Sequence, residues 1–360
     1  MEILRPTWAE ISLDRFKNNL KKIKKIIPSK TKLLLVVKAN AYGHGAVELA
    51  KYAEENFLVD CFGVTSIEEG IRLRENQIRL PVIILGSIYP PKNFPYLFKY
   101  LLTPTVSSLL LLKELERYTR SRNQRIKIHI KLETGMNRIG VWPETAKKMI
   151  DYITVSKNII LEGIYSHFSS ADTDRLYTKQ QLKRFLDFVK DYRHLNIIKH
   201  IANSYAMLNY PDSHLDMVRC GIAGYGYLNG FDEIMTLKTR IVFIKTVKKG
   251  EFISYSKSYR TSRRSRIATI PVGYGDGYLR CLSNKAYVRI KNSYAPVVGN
   301  ITMDMTMIDV TGLDVDVGDE VTVMGGGIER ISIIETAKKA NTIPYEITTL
   351  ITERVKRVYK

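Results

Sequence analysis

Polar side chains that could take part in chemistry follow a series of apolar runs. The clearest example is "LVVKANAYGHG" at residues 35–45, where Lys38 ends an apolar run and precedes small residues, a tyrosine and two glycines. A lysine amine buried at a strand end is costly unless it is paired or chemically used. Comparable residues recur: Tyr42 after the first run, Lys131 and Arg138 after the fifth, His167 after the sixth, Ser204 after the seventh, and Arg219 and Gly221 in the eighth.

Each of these residues taken alone also has a structural interpretation. Lys131 and Arg138 could be rim charges, His167 a buried histidine with satisfied nitrogens, and Ser204 the cap of the next helix. Their shared position at strand ends favours a site, because the carboxyl ends of parallel barrel strands meet on one face.

This set of side chains suits the chemistry of pyridoxal phosphate. A lysine amine can bond to the aldehyde carbon, while hydroxyls and glycine amides near the last strands can hold the phosphate, here Ser204, Gly221 and Tyr42. A guanidinium beside the ring nitrogen would keep that nitrogen unprotonated, which favours return of a proton to carbon over side reactions. Arg219 is the candidate for that position.

Eight short apolar runs alternate with helical patterns in the first part of the chain. The runs are "KLLLVVK", "CFGVTS", "PVIILGS", "LTPTVSS", "IKIHIKLE", "NIILEGIYSHF", "IKHIANS" and "MVRCGIAGYG". Between two of them, Leu182, Phe185, Leu186 and Val189 recur at the spacing of one helix face. Eight strand–helix units in succession predict a TIM (β/α)8 barrel, an α/β fold.

The pattern changes after Gly230, where short strands are separated by Gly, Asn, Asp and Pro turns. One helical segment, "SIIETAKKANT", precedes the C-terminal residues. We therefore expect a TIM barrel domain over residues 1–232 and a mostly β domain over residues 233–360. Whether residues 1–10 pack with the second domain is left open.

Composition narrows the function classes. The 360 residues are 45% apolar, enough for two cores, and no apolar stretch reaches the length of a membrane span. The start shows no signal-peptide pattern, so a cytoplasmic location is expected.

The net charge of +20 is spread over the chain and matches no nucleic-acid module, so a solvated basic surface is expected rather than nucleic-acid binding. The three cysteines lack metal-ligand spacing, which predicts free thiols and no metal site.

The motif "VVKANAYGHG" is specific enough to name a resemblance: the chain resembles the bacterial alanine racemases over essentially its full length. In that family the motif's lysine holds pyridoxal phosphate and the tyrosine four residues later contacts the phosphate, which implies these roles for Lys38 and Tyr42. The segment "IKLETGMNRIG" is similar to the family segment with a carbamylated lysine and a substrate-binding arginine, which implies Lys131 and Arg138.

Further segments match the family in order. In the barrel they imply cofactor contacts for His167, Ser204, Arg219, Gly221 and Ile222, and a supporting role for Asp172. In the β domain, the match of "FISYS" implies a catalytic base at Tyr255, and that of "IPVGYGDGYLR" implies a gate at Tyr274 and support from Arg280. The match of "ITMDM" implies a substrate contact at Met303, and that of "IPYEI" a phosphate contact at Tyr345.

The resemblance implies an amino-acid racemase that interconverts L-alanine and D-alanine with two bases on opposite faces of the α-carbon. Lys38 would serve the D-enantiomer and the partner subunit's Tyr255 the L-enantiomer, with His167 and Arg219 favouring the phenolate. It further implies a homodimer with shared sites, D-alanine supply for peptidoglycan, and some turnover of serine.

The chain departs from the family pattern at two positions. Asn300 stands where the family commonly has an arginine of the entry corridor, and Ser256 stands where a glycine commonly follows the catalytic tyrosine. These departures leave corridor electrostatics, rate and substrate breadth open. His44, within the opening motif, is assigned no role.

Four other functions are alternatives to this one. A related decarboxylase would bring a cysteine from the β domain, and no cysteine follows Cys281. A racemase of another amino acid, such as serine, is a nearer alternative. A noncatalytic cofactor carrier would lack the β domain, and a nucleic-acid-binding protein would show salt-sensitive affinity without cofactor absorbance.

Overall fold

The structure, a computed structural model, describes residues 4–360 and divides into two compact units. The unit called here the barrel unit comprises Leu20–Ala41 and Ala46–Gly224. The other, called the β unit, comprises Met1–Asn19, Tyr42–Gly45 and Tyr225–Lys360. The functional boundary expected at residues 232 and 233 remains a prediction.

Eight parallel strands form the barrel within the described residues. In chain order they are Lys32–Val36, Cys61–Val64, Val82–Ser87, Leu102–Val106, Ile126–Lys131, Ile159–Tyr165, Ile198–His200 and Met217–Cys220, here called barrel strands 1 to 8. Each pairs with the next from strand 1 to strand 7, and strand 1 also pairs with strand 8. Between strands 7 and 8, Asp216 N donates to Lys199 O at 3.1 Å and Arg219 N to Ala202 O at 3.0 Å. The predicted TIM barrel is confirmed.

The strands form because their apolar residues are buried on both faces. Leu33, Leu34 and Leu35 in barrel strand 1 are each 0% exposed, as expected where a parallel sheet is covered by helices outside and filled by side chains inside. The α-helices of the chain up to residue 224 are Leu13–Ile26, Ala46–Glu55, Ile67–Glu75, Phe94–Lys99, Leu109–Ser121, Pro143–Thr154, Arg175–Val189 and Ser204–Asn209.

The helix Arg175–Val189 corrects one detail of its predicted face. Leu182, Phe185 and Val189 are buried, but Leu186 is 36% exposed. Leu186 follows Phe185 directly, and neighbouring residues are about 100° apart around a helix, so it lies at the margin of the buried face.

The β unit is built from three sheets. The six-stranded sheet contains Thr7–Ile11, Met235–Arg240, Tyr287–Ile290, Ser293–Pro296, Glu320–Gly325 and Lys356–Tyr359; the three-stranded sheet contains Phe243–Val247, Ser265–Ile270 and Thr306–Asp309; the two-stranded sheet contains Phe252–Ile253 and Tyr259–Arg260. Thr7–Ile11 pairs with Met235–Arg240 and with Lys356–Tyr359. Two helices, Ile333–Ala340 and Pro344–Thr349, complete the unit. Among residues 4–360, no helix has both the length and the apolar character needed to cross a membrane.

Candidate active site

Lys38 opens a left-handed turn after barrel strand 1. Ala39, Asn40 and Ala41 have φ of 50°, 53° and 53°, and Tyr42 continues at 53°. Each such residue costs roughly 1–2 kcal/mol relative to right-handed backbone, so surrounding contacts must enforce this conformation. Ala41 N donates to Val37 O at 2.8 Å, and the Asn40 carboxamide oxygen accepts from Ala46 N at 2.9 Å. Left-handed backbone at four residues that are not glycine is typical of functional sites, and the sequence did not predict it.

Two amines of the barrel unit have lowered pKa values. Burial lowers the pKa of Lys38, the nearby Arg138 charge lowers it further, and Glu69 partly opposes both. Lys131, at the end of barrel strand 5, is 3% exposed. Burial and the charges of Arg138 and Arg219 lower its pKa to about 7. Both amines therefore lose a proton more readily than an ordinary lysine, and Lys131, with a pKa of about 7, is partly unprotonated at neutral pH. An unprotonated amine can act as a nucleophile or base.

The loop that carries Arg138 is organised by a buried carboxylate. The Glu133 side chain accepts hydrogen bonds from the backbone N–H groups of Gly135, Met136 and Asn137, at 2.5, 2.6 and 2.9 Å. Three amide donors on one carboxylate fix the turn. Arg138 itself is exposed, so its guanidinium is available to an anion such as a substrate carboxylate.

Arg219 is a buried hydrogen-bond hub on barrel strand 8. Its guanidinium donates to His200 Nδ1 at 2.8 Å, His167 Nδ1 at 3.0 Å, Ser166 O at 2.7 Å and Ile201 O at 2.9 Å. Burial lowers the pKa of Arg219 to about 10, so it remains a cation at neutral pH.

His167 is held neutral beside this cation. Burial, followed by the charge of Arg219, sets the pKa of His167 well below its ordinary value. Because an arginine can only donate, His167 Nδ1 is the acceptor and its proton lies on Nε2. His167 therefore presents an N–H donor, while the positive charge resides on Arg219.

Ser204 and Gly221 are brought together between barrel strands 7 and 8. Gly221 N donates to Ser204 Oγ at 2.9 Å, and Ala223 N lies 3.4 Å from the same oxygen. Ser204 is buried and Ile222 is partly exposed. Asp172 is exposed. Burial raises the pKa of Tyr205, the neighbour of Ser204, and the charge of Asp172 raises it further.

The β unit brings together two tyrosines that are far apart in sequence. The rings of Tyr42 and Tyr345, both expected at a phosphate, meet edge to face with centroids 6.3 Å apart. Tyr42 also packs against Tyr225 at 5.1 Å. His44 stacks on Tyr225 at 4.8 Å, and its Nε2 lies 2.9 Å from the Tyr227 hydroxyl. His44, left without a role by the sequence, therefore belongs to the packing behind Tyr42.

Tyr255 lies on an irregular turn and is 72% exposed. Ser254, Ser256 and Lys257 have φ of 67°, 59° and 51°. Asn300 secures this turn, because its Nδ2 donates to Tyr255 O at 2.9 Å and its carbonyl accepts from Ser254 Oγ at 2.6 Å. The two departures from the family pattern, Asn300 and Ser256, thus lie at the turn that carries Tyr255.

Tyr274 and Met303 lie on two loops that are hydrogen-bonded to each other. Tyr274 N donates to Thr302 O at 3.0 Å, and Gly275 N donates to Met303 O at 2.9 Å. A side chain at Gly275 would approach Met303 O within 3.0 Å, which accounts for a glycine there. Arg280 begins a later turn of this segment and is exposed.

Sequence reasoning missed Tyr165, which lies at the centre of the barrel unit's polar groups. The Arg219 guanidinium lies 5.3 Å and the Lys131 amine 5.6 Å from its ring centroid, and His200 stacks on it at 4.8 Å. Its hydroxyl lies 2.8 Å from Thr105 Oγ1. The available signal was a tyrosine at the end of a buried strand, but that residue type is also common in cores.

The fold and these polar groups define a class of protein. A closed β/α barrel that ends in two perturbed amines and a buried guanidinium is typical of enzymes that bind a small anionic substrate or cofactor at the carboxyl ends of the strands. The second, mostly β unit is not part of the basic barrel fold.

Comparison with known proteins gives the family. The models of the alanine racemase N-terminal and C-terminal domains match residues 11–229 and 234–359. "Alanine racemase 1" of Caldanaerobacter subterraneus subsp. tengcongensis is 43% identical, with 99% of this chain and 95% of that protein covered. "Alanine racemase" of Halothermothrix orenii is also 43% identical, with 99% and 98% covered. The solved alanine racemase of Clostridium difficile 630 has a TM-score of 0.94 at 38% identity, covering 100% of this chain and 97% of that one.

The chain therefore belongs to the alanine racemase family. These enzymes are isomerases that depend on pyridoxal phosphate and interconvert L-alanine and D-alanine. The expected family, enzyme class and cofactor are confirmed.

Proposed function

We propose that this chain racemises alanine by a two-base mechanism, in which Lys38 serves one face of the α-carbon and the partner subunit's Tyr255 serves the other. The observation that carries the proposal is the lowered pKa of Lys38 at the end of barrel strand 1, since a neutral amine is needed both to bond to the cofactor and to take a proton.

The donor set of the chain fits pyridoxal phosphate. Lys38 supplies an amine for the aldehyde, Ser204 and Gly221 supply groups for the phosphate, and Arg219 supplies a fixed cation for the ring nitrogen. We assign further cofactor contacts to Tyr42, His167, Ile222 and Tyr345. When bound, the cofactor acts as an electron sink that acidifies the α-hydrogen of the substrate.

Arg138 would bind the substrate carboxylate, with help from Met303. A guanidinium can hold a carboxylate through two parallel hydrogen bonds, which fixes the α-carbon relative to the two bases. We assign Lys131 to the orientation of Arg138 as a carbamate anion, since an ammonium would repel that arginine. Tyr274, Asp172 and Arg280 are assigned supporting roles.

The partner's Tyr255 would need a nearby cation, because a phenol gives up its proton reluctantly at neutral pH. Arg219 supplies that charge, and the neutral His167, which accepts from Arg219 at 3.0 Å, supplies a donor that can stabilise a phenolate. The homodimer, the cytoplasmic location, the supply of D-alanine for peptidoglycan and a minor turnover of serine stay predictions.

Racemisation is tested directly with purified holoenzyme. The loss of optical rotation is followed from L-alanine, L-serine and L-lysine in parallel, with the absorbance of the lysine-linked cofactor as the control for loading. We expect fast racemisation of alanine, slow racemisation of serine and none of lysine. A loaded enzyme that racemises none of the three would overturn the proposal.

Asn300 is expected to affect the rate through Tyr255. Asn300→Asp keeps the size of the side chain but removes the Nδ2 donor to Tyr255 O, so the turn should loosen and kcat should fall about threefold to tenfold. The primary deuterium isotope effect on L-alanine should rise, because proton removal by tyrosine becomes slower. Asn292→Asp, at an exposed hairpin, is the control; equal kinetics in both variants would contradict a positioning role for Asn300.

A further inference from the structure

A line of polar groups crosses the barrel unit from Arg219 to a surface carboxylate. His200 Nδ1 lies 2.8 Å from Arg219, His200 Nε2 lies 3.0 Å from His129 Nδ1, and His129 Nε2 lies 3.5 Å from Glu162 Oε2. His129 and His200 are each 0% exposed. These four residues, called here the histidine relay, come from barrel strands 5 to 8.

An arginine at one end of the relay, which can only donate, and a carboxylate at the other, which can only accept, favour the same proton positions on the two histidines. A guanidinium has no acceptor, so His200 Nδ1 must accept and the His200 proton lies on Nε2. His200 Nε2 therefore donates to His129 Nδ1, which places the His129 proton on Nε2. Among the described residues this N–H has no partner with hydrogen-bond geometry, and Glu162 Oε2 lies 3.5 Å from Nε2.

The relay ends on a group that can only accept. The adjacent His129 ring, and next the Lys127 ammonium at 2.9 Å, lowers the pKa of Glu162 to about 2, so it is ionised at neutral pH. Arg219, in contrast, is bonded only to neutral acceptors among the described residues. Glu162 is thus the anion at the far end of the histidine relay, which begins at the buried cation Arg219.

The backbone of barrel strand 6 makes room for the relay. Gly163 lies in the strand interior, where glycine is unfavourable. A Cβ there would lie 2.5 Å from His129 Cε1 and 2.6 Å from His129 Nδ1, closer than real contacts allow. On the other side, the Tyr165 ring stacks on His200 at an interplanar angle of 13°. Gly163 therefore leaves the space that His129 occupies, and Tyr165 packs against His200.

We propose that Glu162 is a positioning residue for the reaction: acting through His129 and His200, it keeps an unprotonated nitrogen facing Arg219 and so holds that guanidinium in place. The proposal rests on the proposed function, in which Arg219 faces the cofactor ring nitrogen. A remote carboxylate that sets histidine tautomers is known to tune a group it does not touch, as in histidine ligands of metals.

Glu162→Gln is the informative substitution, because it keeps the shape of the side chain but replaces a carboxylate, which can only accept hydrogen bonds, by a carboxamide. A carboxamide can donate as well as accept, so the opposite tautomer pair becomes allowed. In that pair the Nδ1–H of His200 faces an Arg219 N–H, and two donors repel. Lys127→Gln is the matched control, since it removes the ion pair of Glu162 while leaving the carboxylate in place; Thr103 Oγ1, 3.5 Å from Glu162 Oε2, is unchanged in both variants.

The test combines nitrogen NMR of labelled histidine with steady-state kinetics on the holoenzyme. In the unsubstituted enzyme and in Lys127→Gln, we expect His129 and His200 both to carry the proton on Nε2. In Glu162→Gln we expect mixed tautomers and a fall in kcat of about tenfold, with KM for alanine nearly unchanged because Arg138 is untouched. Six histidines in the chain keep the spectrum assignable.

Two results would overturn the proposal: a proton on Nδ1 of either relay histidine in the unsubstituted enzyme, or tautomers and kcat that do not change in Glu162→Gln. The nitrogen spectrum does not depend on turnover. A holoenzyme that fails to racemise alanine but shows the expected tautomers would therefore count against the proposed function and not against the relay.

Discussion

Replacing Lys38 by alanine is expected to lower kcat/KM for alanine racemisation by about 10³-fold or more, since the residue is assigned both the covalent link to the cofactor and one of the two bases. Absorbance of the lysine-linked cofactor should disappear. Lys32→Ala, at the exposed start of the same strand, should retain activity. An active Lys38→Ala enzyme would exclude Lys38 from the chemistry.

The same variant tests whether two subunits share each site. Tyr255→Phe should also be nearly inactive, because a phenyl ring cannot exchange a proton. If the partner's Tyr255 completes the site, a hybrid of the two variants contains one intact pair and one doubly defective pair. Random exchange of equal amounts should then restore about a quarter of the unsubstituted activity, because half of the dimers are hybrids with one working site.

A different result is expected if each chain supplies both bases to its own site. Every site in the mixture then lacks one base, and subunit exchange, verified by mass spectrometry of differently labelled chains, restores nothing. The Tyr255 side chain is 72% exposed in the single chain, which is compatible with a role at another subunit.

The barrel could be predicted from sequence because its strands are continuous apolar runs, and burial on both faces leaves them no other pattern. The left-handed turn at residues 39–42 could not. Alanine and tyrosine disfavour positive φ, so no local preference indicates the turn and only contacts made by the folded chain produce it. The motif around Lys38 showed that a site was present without showing its backbone.

The candidate site likewise contains residues that the sequence indicates and residues that only the folded structure reveals. Lys131, His167 and Arg219 stood out because charged or titratable residues ended apolar runs. His129 and His200 lie inside such runs and resemble ordinary core residues, and their link is visible only once four strands are placed side by side. For Asn300 the family pattern indicates only a missing corridor charge, which stays a prediction, and the structure adds its hydrogen bond to the Tyr255 carbonyl.

Lys131 is the second residue for which a large effect is expected, and its pKa sets a pH dependence. Carbon dioxide reacts with a neutral amine and not with an ammonium. With a pKa of about 7, Lys131 is mostly protonated below that pH and mostly neutral above it. Carbamate occupancy should therefore rise as pH increases through 7, and native mass spectrometry of the enzyme should show one added CO₂ per chain above it.

Two substitutions of equal shape separate charge from packing at this position. Lys131→Gln removes the anion, so Arg138 loses its orienting partner and KM for alanine should rise by about 10- to 100-fold. Lys131→Glu restores a negative charge and should bind alanine about tenfold better than Lys131→Gln, because an anion attracts Arg138. If the free amine is the working form, the two variants should be equally impaired and the active enzyme should carry no added CO₂. The charges of Arg138 and Arg219, which lower the pKa of Lys131, would stabilise a carbamate, so the same cations that disfavour the ammonium favour the anion.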